Sequence, residues 1–448
     1  MHRLQPTKSV LGIARRLEAA GFEAWCVGGA IRDALLGGHP LDWDIATTAT
    51  PKAVIDLFGR RRTIPVGIEF GTVSVLDDAG IAHEITTFRR DVTTDGRHAE
   101  VEFGVSLDDD LARRDFTINA IAFRPSTGEL RDPFGGRADL AAKVVRAVGD
   151  PGQRMREDRL RALRAIRFAA RYDFAIDPAT RAAIDASAPF LTRLSAERVQ
   201  QELVKTMEQV DRPGAALRIW RDAGAFAALV PALAAIDDVA LTTLDELPRD
   251  RAPGRVTQRT LNRLAALFLD VPAVDTRRAL QALRVSRQQT GWVTALGEGW
   301  HRVGDEMRTS LMSGAPRDDQ VRRWIALLGR SHAGPVLRVA AARWRAERAG
   351  GRAAPTDLAV RQLHRRMRRS LYRDPIELAQ LRVDGDDLRR LGIPAGPIYA
   401  KILQALLELV LDDPARNTPE TLLAEVPRIA AAAAGDQATP VAHPSTEQ

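Results

Sequence analysis

The chain has 448 residues, with 65 Lys and Arg against 58 Asp and Glu, a net charge of +7 and a pI near 10.1. It is too long for one ordinary core, so roughly two to four domains or layers are expected, and no apolar run approaches the roughly 18 residues of a membrane span. Cys26 is the only cysteine, which excludes an internal disulfide and a cysteine-rich zinc site. The N-terminus, MHRLQPTKSV, lacks a charged-then-apolar leader pattern, so a cytoplasmic location is the default expectation. Only five lysines occur, so the basic charge is almost all arginine. Its planar fork of donors suits phosphates and base edges, although a G+C-biased genome produces the same composition.

Residues 8–20 carry apolar side chains at helical spacing, and Gly21 is a natural stop. The short run AWCV at 24–27 predicts a strand entering the turn Gly28-Gly29, with a helix over about 29–37 behind it. Thr50-Pro51 reads as a helix start, with Thr as cap and Pro at the first helical position. GTVSVLD (71–77) and IAHEITTF (81–88), joined by Asp78-Ala79-Gly80, give a hairpin signal. The polar segment 89–106 is expected to be a mobile loop. From about 138 onward strands are hard to find. Helical Ala/Leu/Arg segments run to about 433, and the C-terminal GDQATPVAHPSTEQ is expected to be disordered.

Three constellations carry chemistry. In the first, Gly28-Gly29-Ala30-Ile31-Arg32-Asp33 precedes Asp42-Trp43-Asp44 within seventeen residues. A Gly-Gly turn between strand and helix lets backbone amides approach phosphates closely, and Arg32, one turn into the helix, is placed to reach a triphosphate. Asp42 and Asp44 project from one face of a strand. Two such carboxylates can share divalent ions, and Mg²⁺ favours few carboxylates plus substrate phosphates. Each piece alone is common; in this order they argue for phosphoryl transfer.

The second constellation is Arg113-Arg114-Asp115-Phe116-Thr117-Ile118-Asn119-Ala120, after the run Asp108-Asp109-Asp110. The plain reading is a helix with a salt-bridged surface. The functional one places Arg114 on triphosphate or ribose, with Asp115 and Asn119 orienting it. In the third, Asp158, Arg161, Arg164 and Arg167 step by three along a helix beginning near Glu157, while Leu160, Leu163 and Ile166 face inward. Such a stripe is commonly a solvated face. Three arginines so spaced repel one another, and an anionic partner would relieve them.

GGAIRD, DWD, ARRDFTINAIA, DPFGGRADL and EDRLRALRAIRFAARYDF, in this order and at these spacings, resemble class II tRNA CCA-adding nucleotidyltransferases and the bacterial poly(A) polymerases related to them. The resemblance is densest over 24–173 and fades after about 230. It implies an α+β fold: a polymerase-β-like palm (1–137), a helical neck with a nucleobase-template helix (138–210), a helical RNA-binding body and tail (211–435) and a disordered end (436–448). It further implies that Asp42 and Asp44 bind Mg²⁺ for two-metal attack of the RNA 3′-hydroxyl on the α-phosphate, with Glu84 a candidate third carboxylate. Gly28, Gly29 and Arg32 match the triphosphate-binding turn, and Arg114 and Asp115 match a second nucleotide-contacting motif. Asp158 and Arg161 match the protein template. There a carboxylate accepts from the exocyclic amine of cytosine or adenine while a guanidinium donates to the adjacent ring nitrogen, and guanine and uracil meet a repulsive carbonyl. Arg164 and Arg167 would hold phosphate or orient that pair. The implied partners are tRNA, CTP and ATP, with neither DNA nor membrane.

Within the family, complete CCA addition, partial CC or A addition and poly(A) synthesis compete. GIEFGTV after the Asp pair is closer to CCA-adding enzymes, although Arg60-Arg61-Arg62 stands where poly(A) polymerases carry a basic signature ending in Phe. RRDVTTDGRHAEV at 89–101 retains the loop that CC-only enzymes lack. A catalytically silent RNA-binding member is opposed by the intact Asp pair, and a phosphohydrolase domain by the scattering of the eight histidines. An aminoglycoside-type nucleotidyltransferase would not need the template helix.

Overall fold

The computed structural model describes residues 4–94, 99–248 and 256–435, which fall into two compact units. The first comprises residues up to 236 together with 279–285; the second comprises 237–278 and 286 onward.

The first unit begins with α1 (Lys8–Ala19), capped by the Thr7 hydroxyl and burying Val10, Ile13, Ala14 and Leu17 at helical spacing. Next come β1 (Ala24–Val27), α2 (Gly29–Leu35), β2 (Asp44–Thr47), α3 (Pro51–Phe58) and β3 (Thr63–Ile64). The expected hairpin is β4 (Thr72–Leu76) and β5 (Ala82–Thr87), in which His83 and Ile85 are buried while Ala82 and Glu84 are exposed. Strands β8 (Ala122–Arg124) and β9 (Glu129–Arg131) complete a seven-stranded sheet of order β3-β4-β5-β2-β1-β8-β9. All four residues of β1 are buried, as befits a central strand covered on both faces. Among the described residues of this sheet only β2 and β5 pair in parallel.

Segment 89–106, expected to be a loop, instead forms an antiparallel ribbon, β6 (Arg89–Thr94) and β7 (Ala99–Phe103), with a register shift between Asp91 and Thr93. β6 lacks apolar alternation, and although Ala99, Val101 and Phe103 alternate with Glu100 and Glu102 in β7, the polar residues and glycines around that short run read as a loop. Residues 95–98 lie outside the described residues, as do 436–448, on which the expectation of a disordered end falls.

Helix α4 (Leu107–Ala112) is closed by a Ser106–Asp109 capping box. The segment expected as a salt-bridged helix at 113–120 contains instead a single 3₁₀ turn, Thr117–Asn119. It is buttressed by α5 (Gly136–Ala142), where a Cβ on Gly136 would stand 2.1 Å from the Thr117 carbonyl oxygen. Asp132 receives the amides of Gly136 and Arg137, and the Thr117 hydroxyl donates to Asp139 at 2.6 Å. The DPFGGRADL segment is thus a bracket for the motif before it.

Helical structure then dominates: α6 (Pro151–Glu157), α7 (Leu160–Tyr172), α8 (Pro178–Ser187), α9 (Ala196–Gln209), α10 (Pro213–Asp222) and α11 (Ala225–Leu229). Two short strands, β10 (Val144–Val145) and β11 (Ala175–Ile176), pair in parallel.

The described part of the second unit is helical. Its longest helix is Arg287–Ser313, and its C-terminal helices close over Leu388, Ile402, Leu406, Val410, Leu422 and Val426. No helix among the described residues is long and apolar enough to cross a membrane.

Candidate active site

The site is assembled where β1 ends, β2 begins and α2 starts. Gly28 has φ +79° and ψ −142°, a conformation that L side chains rarely adopt. A Cβ there would meet Arg114 Nη1 at 3.2 Å and Asp44 Oδ2 at 3.7 Å. Asp44, Arg114 and the Gly-Gly turn therefore converge within a few ångströms, although 86 residues of sequence separate Gly28 from Arg114.

Asp42 and Asp44 flank the buried Trp43, whose indole donates to the Pro40 carbonyl at 2.8 Å. Trp43 anchors the strand entrance; only Asp44 belongs to β2, and Asp42, expected on the same strand, lies on the exposed approach to it, near enough for its charge to act on Asp44. Because Ile45 faces Ile85 in the parallel pairing, Asp44 falls level with Glu84. Burial, then the negative charges of Glu84 and Asp42, push the Asp44 carboxyl up to about 6, against the countering charge of Arg114. Negative charge concentrated this way fits a divalent cation. Among the described residues no three His, Cys, Asp or Glu side chains gather closely enough to form a metal cluster. Glu84, the expected third carboxylate, is exposed and acts on Asp44 through its charge.

Arg114 is oriented differently from expectation. Its Nη2 donates to Asp110 at 3.2 Å, and Asp110 also receives Arg113 at 2.8 Å. Asp110 is 1 % exposed; burial alone would raise its carboxyl, but the two guanidiniums hold it below the usual carboxylate range. The signal was the i,i+4 spacing from Asp110 to Arg114. Three consecutive aspartates hid it, because Asp108 pairs with Arg131 and Asp109 with the Ser106 hydroxyl.

Asp115 and Asn119, expected to orient Arg114, serve other arginines. Asp115 takes Nε and Nη2 of Arg164 at 2.9 and 2.7 Å and the Asn119 amide at 2.9 Å. Burial would raise its carboxyl, but Arg164, Asn119 and Arg161 hold it low. The Asn119 carbonyl accepts Arg32 Nη1 at 2.6 Å. Arg32, expected to reach a triphosphate, is only 4 % exposed and spends its Nε on Asp33 at 2.8 Å.

The arginine stripe also differs. Asp158 lies outside the helix, in extended conformation between α6 and α7. Its Oδ1 accepts the Leu160 amide at 3.0 Å and its Oδ2 accepts Arg198 at 2.6 Å. Arg161 donates to Glu157 at 2.8 Å and to the carbonyls of Arg154 and Arg113. Arg167 is buried against Glu202 at 2.7 Å and also donates to Gln209, so it does not present itself for phosphate. The mutual repulsion anticipated for the stripe is relieved internally, by Glu157, Asp115 and Glu202.

Residues 24–146 match the Poly A polymerase head domain, and residues 173–237 match a probable RNA and SrmB-binding site of polymerase A. A CCA-adding enzyme of Latilactobacillus sakei subsp. sakei is 34% identical over 428 residues, spanning 92% of this chain and 96% of that protein. The chain belongs to the CCA-adding enzyme family. A CCA-adding enzyme of Geobacillus kaustophilus is 35% identical over 429 residues, 94% of this chain and 96% of the relative. The crystal structure of the Bacillus stearothermophilus CCA-adding enzyme in complex with CTP superposes with a TM-score of 0.73 at 31% identity, covering 96% of this chain and 98% of that one. In this member of the CCA-adding family the matched head segment contains Gly28, Asp42, Asp44 and Arg114. Asp158, Arg161 and Arg164 fall between the two matched segments.

Proposed function

We propose that this chain adds C, C and A from CTP and ATP to the 3′ end of tRNA without a nucleic-acid template, releasing pyrophosphate. The observation that carries the reading is the convergence of Asp44 and Arg114 on the Gly28 turn, in a chain with CCA-adding relatives along nearly its whole length.

In this reading Asp42 and Asp44 would hold Mg²⁺, with CTP or ATP phosphates completing its coordination. Bound there, the metal ions supply an acidified 3′-hydroxyl and charge neutralisation at the α-phosphate. The amides of the Gly28-Gly29 turn and the Arg114 guanidinium, steadied by Asp110, hold the triphosphate. Asp158 accepts from the exocyclic amine of the base and Arg161 donates to its ring nitrogen, each exchanging a present partner, Arg198 or Glu157, for the base. Arg164, fixed by Asp115, supports that pair; Arg167 acts at a distance by packing α7 on Glu202 of α9.

Residues 1–137 serve as palm, 138–210 as neck, and 211–435 as the RNA-holding body and tail. For that last role the helix Asp357–Arg373 exposes Arg361, Arg365 and Arg368 along one face, with Tyr372 85 % exposed at its end. Arginines in such a row suit contact with an RNA backbone by shape.

The test is incorporation on one tRNA transcript ending before CCA, with each labelled nucleotide alone and then with CTP plus ATP. Two C and one A followed by a stop is the expected result. A long A tract from ATP alone would make the chain a poly(A) polymerase and overturn the reading.

A further inference from the structure

The Arg32 side chain is tied to two elements at once. Its Nη1 donates to Asn119 at 2.6 Å, and its guanidinium carbon lies 4.9 Å from the Phe168 ring centroid and 4.8 Å from that of Tyr172. These rings lie one turn apart on α7 and stack at 6.3 Å with an 18° tilt. The neighbouring Asp33 receives the Tyr172 hydroxyl at 2.7 Å as well as Arg32 Nε, and Arg171 approaches its other oxygen at 3.6 Å. The C-terminal end of α7 is therefore clasped to α2, whose first turn is the Gly28-Gly29 approach. The clasp abuts that turn, because a Cβ on Gly29 would meet Arg32 Nη2 at 3.1 Å.

A second path joins the same elements further along α7. Arg32 donates to Asn119, Asn119 donates to Asp115, and Asp115 receives Arg164. Arg164 lies one turn after Arg161 on α7. The phosphate turn and the base-reading end of α7 thus share one connected set of hydrogen-bonded side chains, buried at Arg32 and Asn119 and partly buried at Asp115 and Arg164, which holds its members to a single arrangement.

We propose that Asn119 and Tyr172 are positioning residues that, through Arg32 and Asp33, fix α7 against the Gly28-Gly29 turn, so that a base accepted at Asp158 and Arg161 places its α-phosphate in register with Asp42 and Asp44. This rests on the nucleotide-adding reading above. Neither Asn119 nor Tyr172 needs to touch the nucleotide. Their effect is on alignment, where a displacement of about 1 Å costs on the order of 100-fold in rate.

The test is steady-state C addition by Asn119→Ala, Tyr172→Leu and Tyr172→Phe, with incorporation from GTP and UTP measured in parallel and each variant's thermal melting recorded. The inference expects kcat for Asn119→Ala and Tyr172→Leu to fall about 10- to 100-fold, KM for CTP to change less than about threefold, and misincorporation to rise. Tyr172→Phe keeps the ring beside Arg32 but loses the bond to Asp33, so it should recover part of the loss and still fall measurably below wild-type kcat. Wild-type KM and kcat with unchanged fidelity, or a rise in KM alone, would overturn it. If the alanine or leucine variant does not fold, Tyr172→Phe decides: it must still lose kcat with KM held, because only the bond to Asp33 is gone. A wild-type chain that adds neither C nor A removes the nucleotide-adding reading and this inference together. A wild type that adds both, with variants that match it, removes the inference alone.

Discussion

Asp44 stands level with Glu84 across the one parallel pairing that the described residues show in the seven-stranded sheet, one residue before Ile45 meets Ile85. Burial and this neighbouring charge oppose ionisation of Asp44, so Glu84 raises the demand for a cation without itself being gathered into a ligand cluster. Glu84→Gln should therefore raise the Mg²⁺ concentration needed for half-maximal incorporation, on the order of tenfold, while leaving incorporation at saturating Mg²⁺ near wild type. Asp44→Asn should lose activity at every Mg²⁺ concentration. A Glu84→Gln variant that stays inactive at saturating metal would make Glu84 a ligand after all. Mg²⁺ titration of C addition separates the two.

Gly136 is a packing requirement. Its missing Cβ leaves room for the Thr117 carbonyl, which is backbone and cannot swing aside. Gly136→Ala should destabilise the first unit by about 2–3 kcal/mol, read as a lower melting temperature, and should impair activity only through the displaced 3₁₀ turn. Wild-type melting would show that the bracket yields freely.

Arg167 and Glu202 form a buried pair. Removing one partner strands a buried charge, so Arg167→Ala should cost about 3–5 kcal/mol. Replacing both with Leu and Met should recover most of that stability. Purified double variant should still select CTP and ATP over GTP and UTP. Loss of selection in a well-folded double variant would return Arg167 to the nucleotide site.

Tyr172 gives a pH signature. Burial, together with its bond to Asp33, pushes the phenol up to about 12, from 10.0 in an open chain. Between those values the unfolded chain releases this proton and the folded chain keeps it, so this group's contribution to stability falls as pH rises from about 10 to 12. Absorbance titration of the phenolate should show one of the three tyrosines ionising late, and Tyr172→Phe should delete that late step. A titration in which all three ionise together near 10 would mean the clasp is open in solution.

What could be read from the sequence was whatever local chemistry dictates. Thr50 announced its helix because a cap acts on the amide three residues on, and α1 followed from its apolar spacing. The hairpin at 72–87 followed from alternation and its turn residues. The Asp pair and the Gly-Gly turn stood close enough together to suggest phosphoryl transfer. The partners of the arginine stripe did not show, because Asp115 is 49 residues from Arg164 and Glu202 is 35 from Arg167. Only the folded chain brings them together. The break at Asp158 was hidden for another reason: the helical period of LRALRAIRF extends back over it, and no Gly or Pro marks the interruption.

That break has a consequence of its own. Asp158 adopts φ −146° and ψ 105° between two helices, each of which keeps its own hydrogen bonds. The Asp158 amide donates to the Arg154 carbonyl and its carbonyl accepts the Arg161 amide, so the backbone is stitched to both helices, while side-chain rotation alone would re-aim the carboxylate against the tether of the Leu160 amide. In the proposed reading the base selector is therefore a short arm on a fixed mount, and a pocket that takes a one-ring base twice and then a two-ring base would find its adjustment in that arm rather than in the helices.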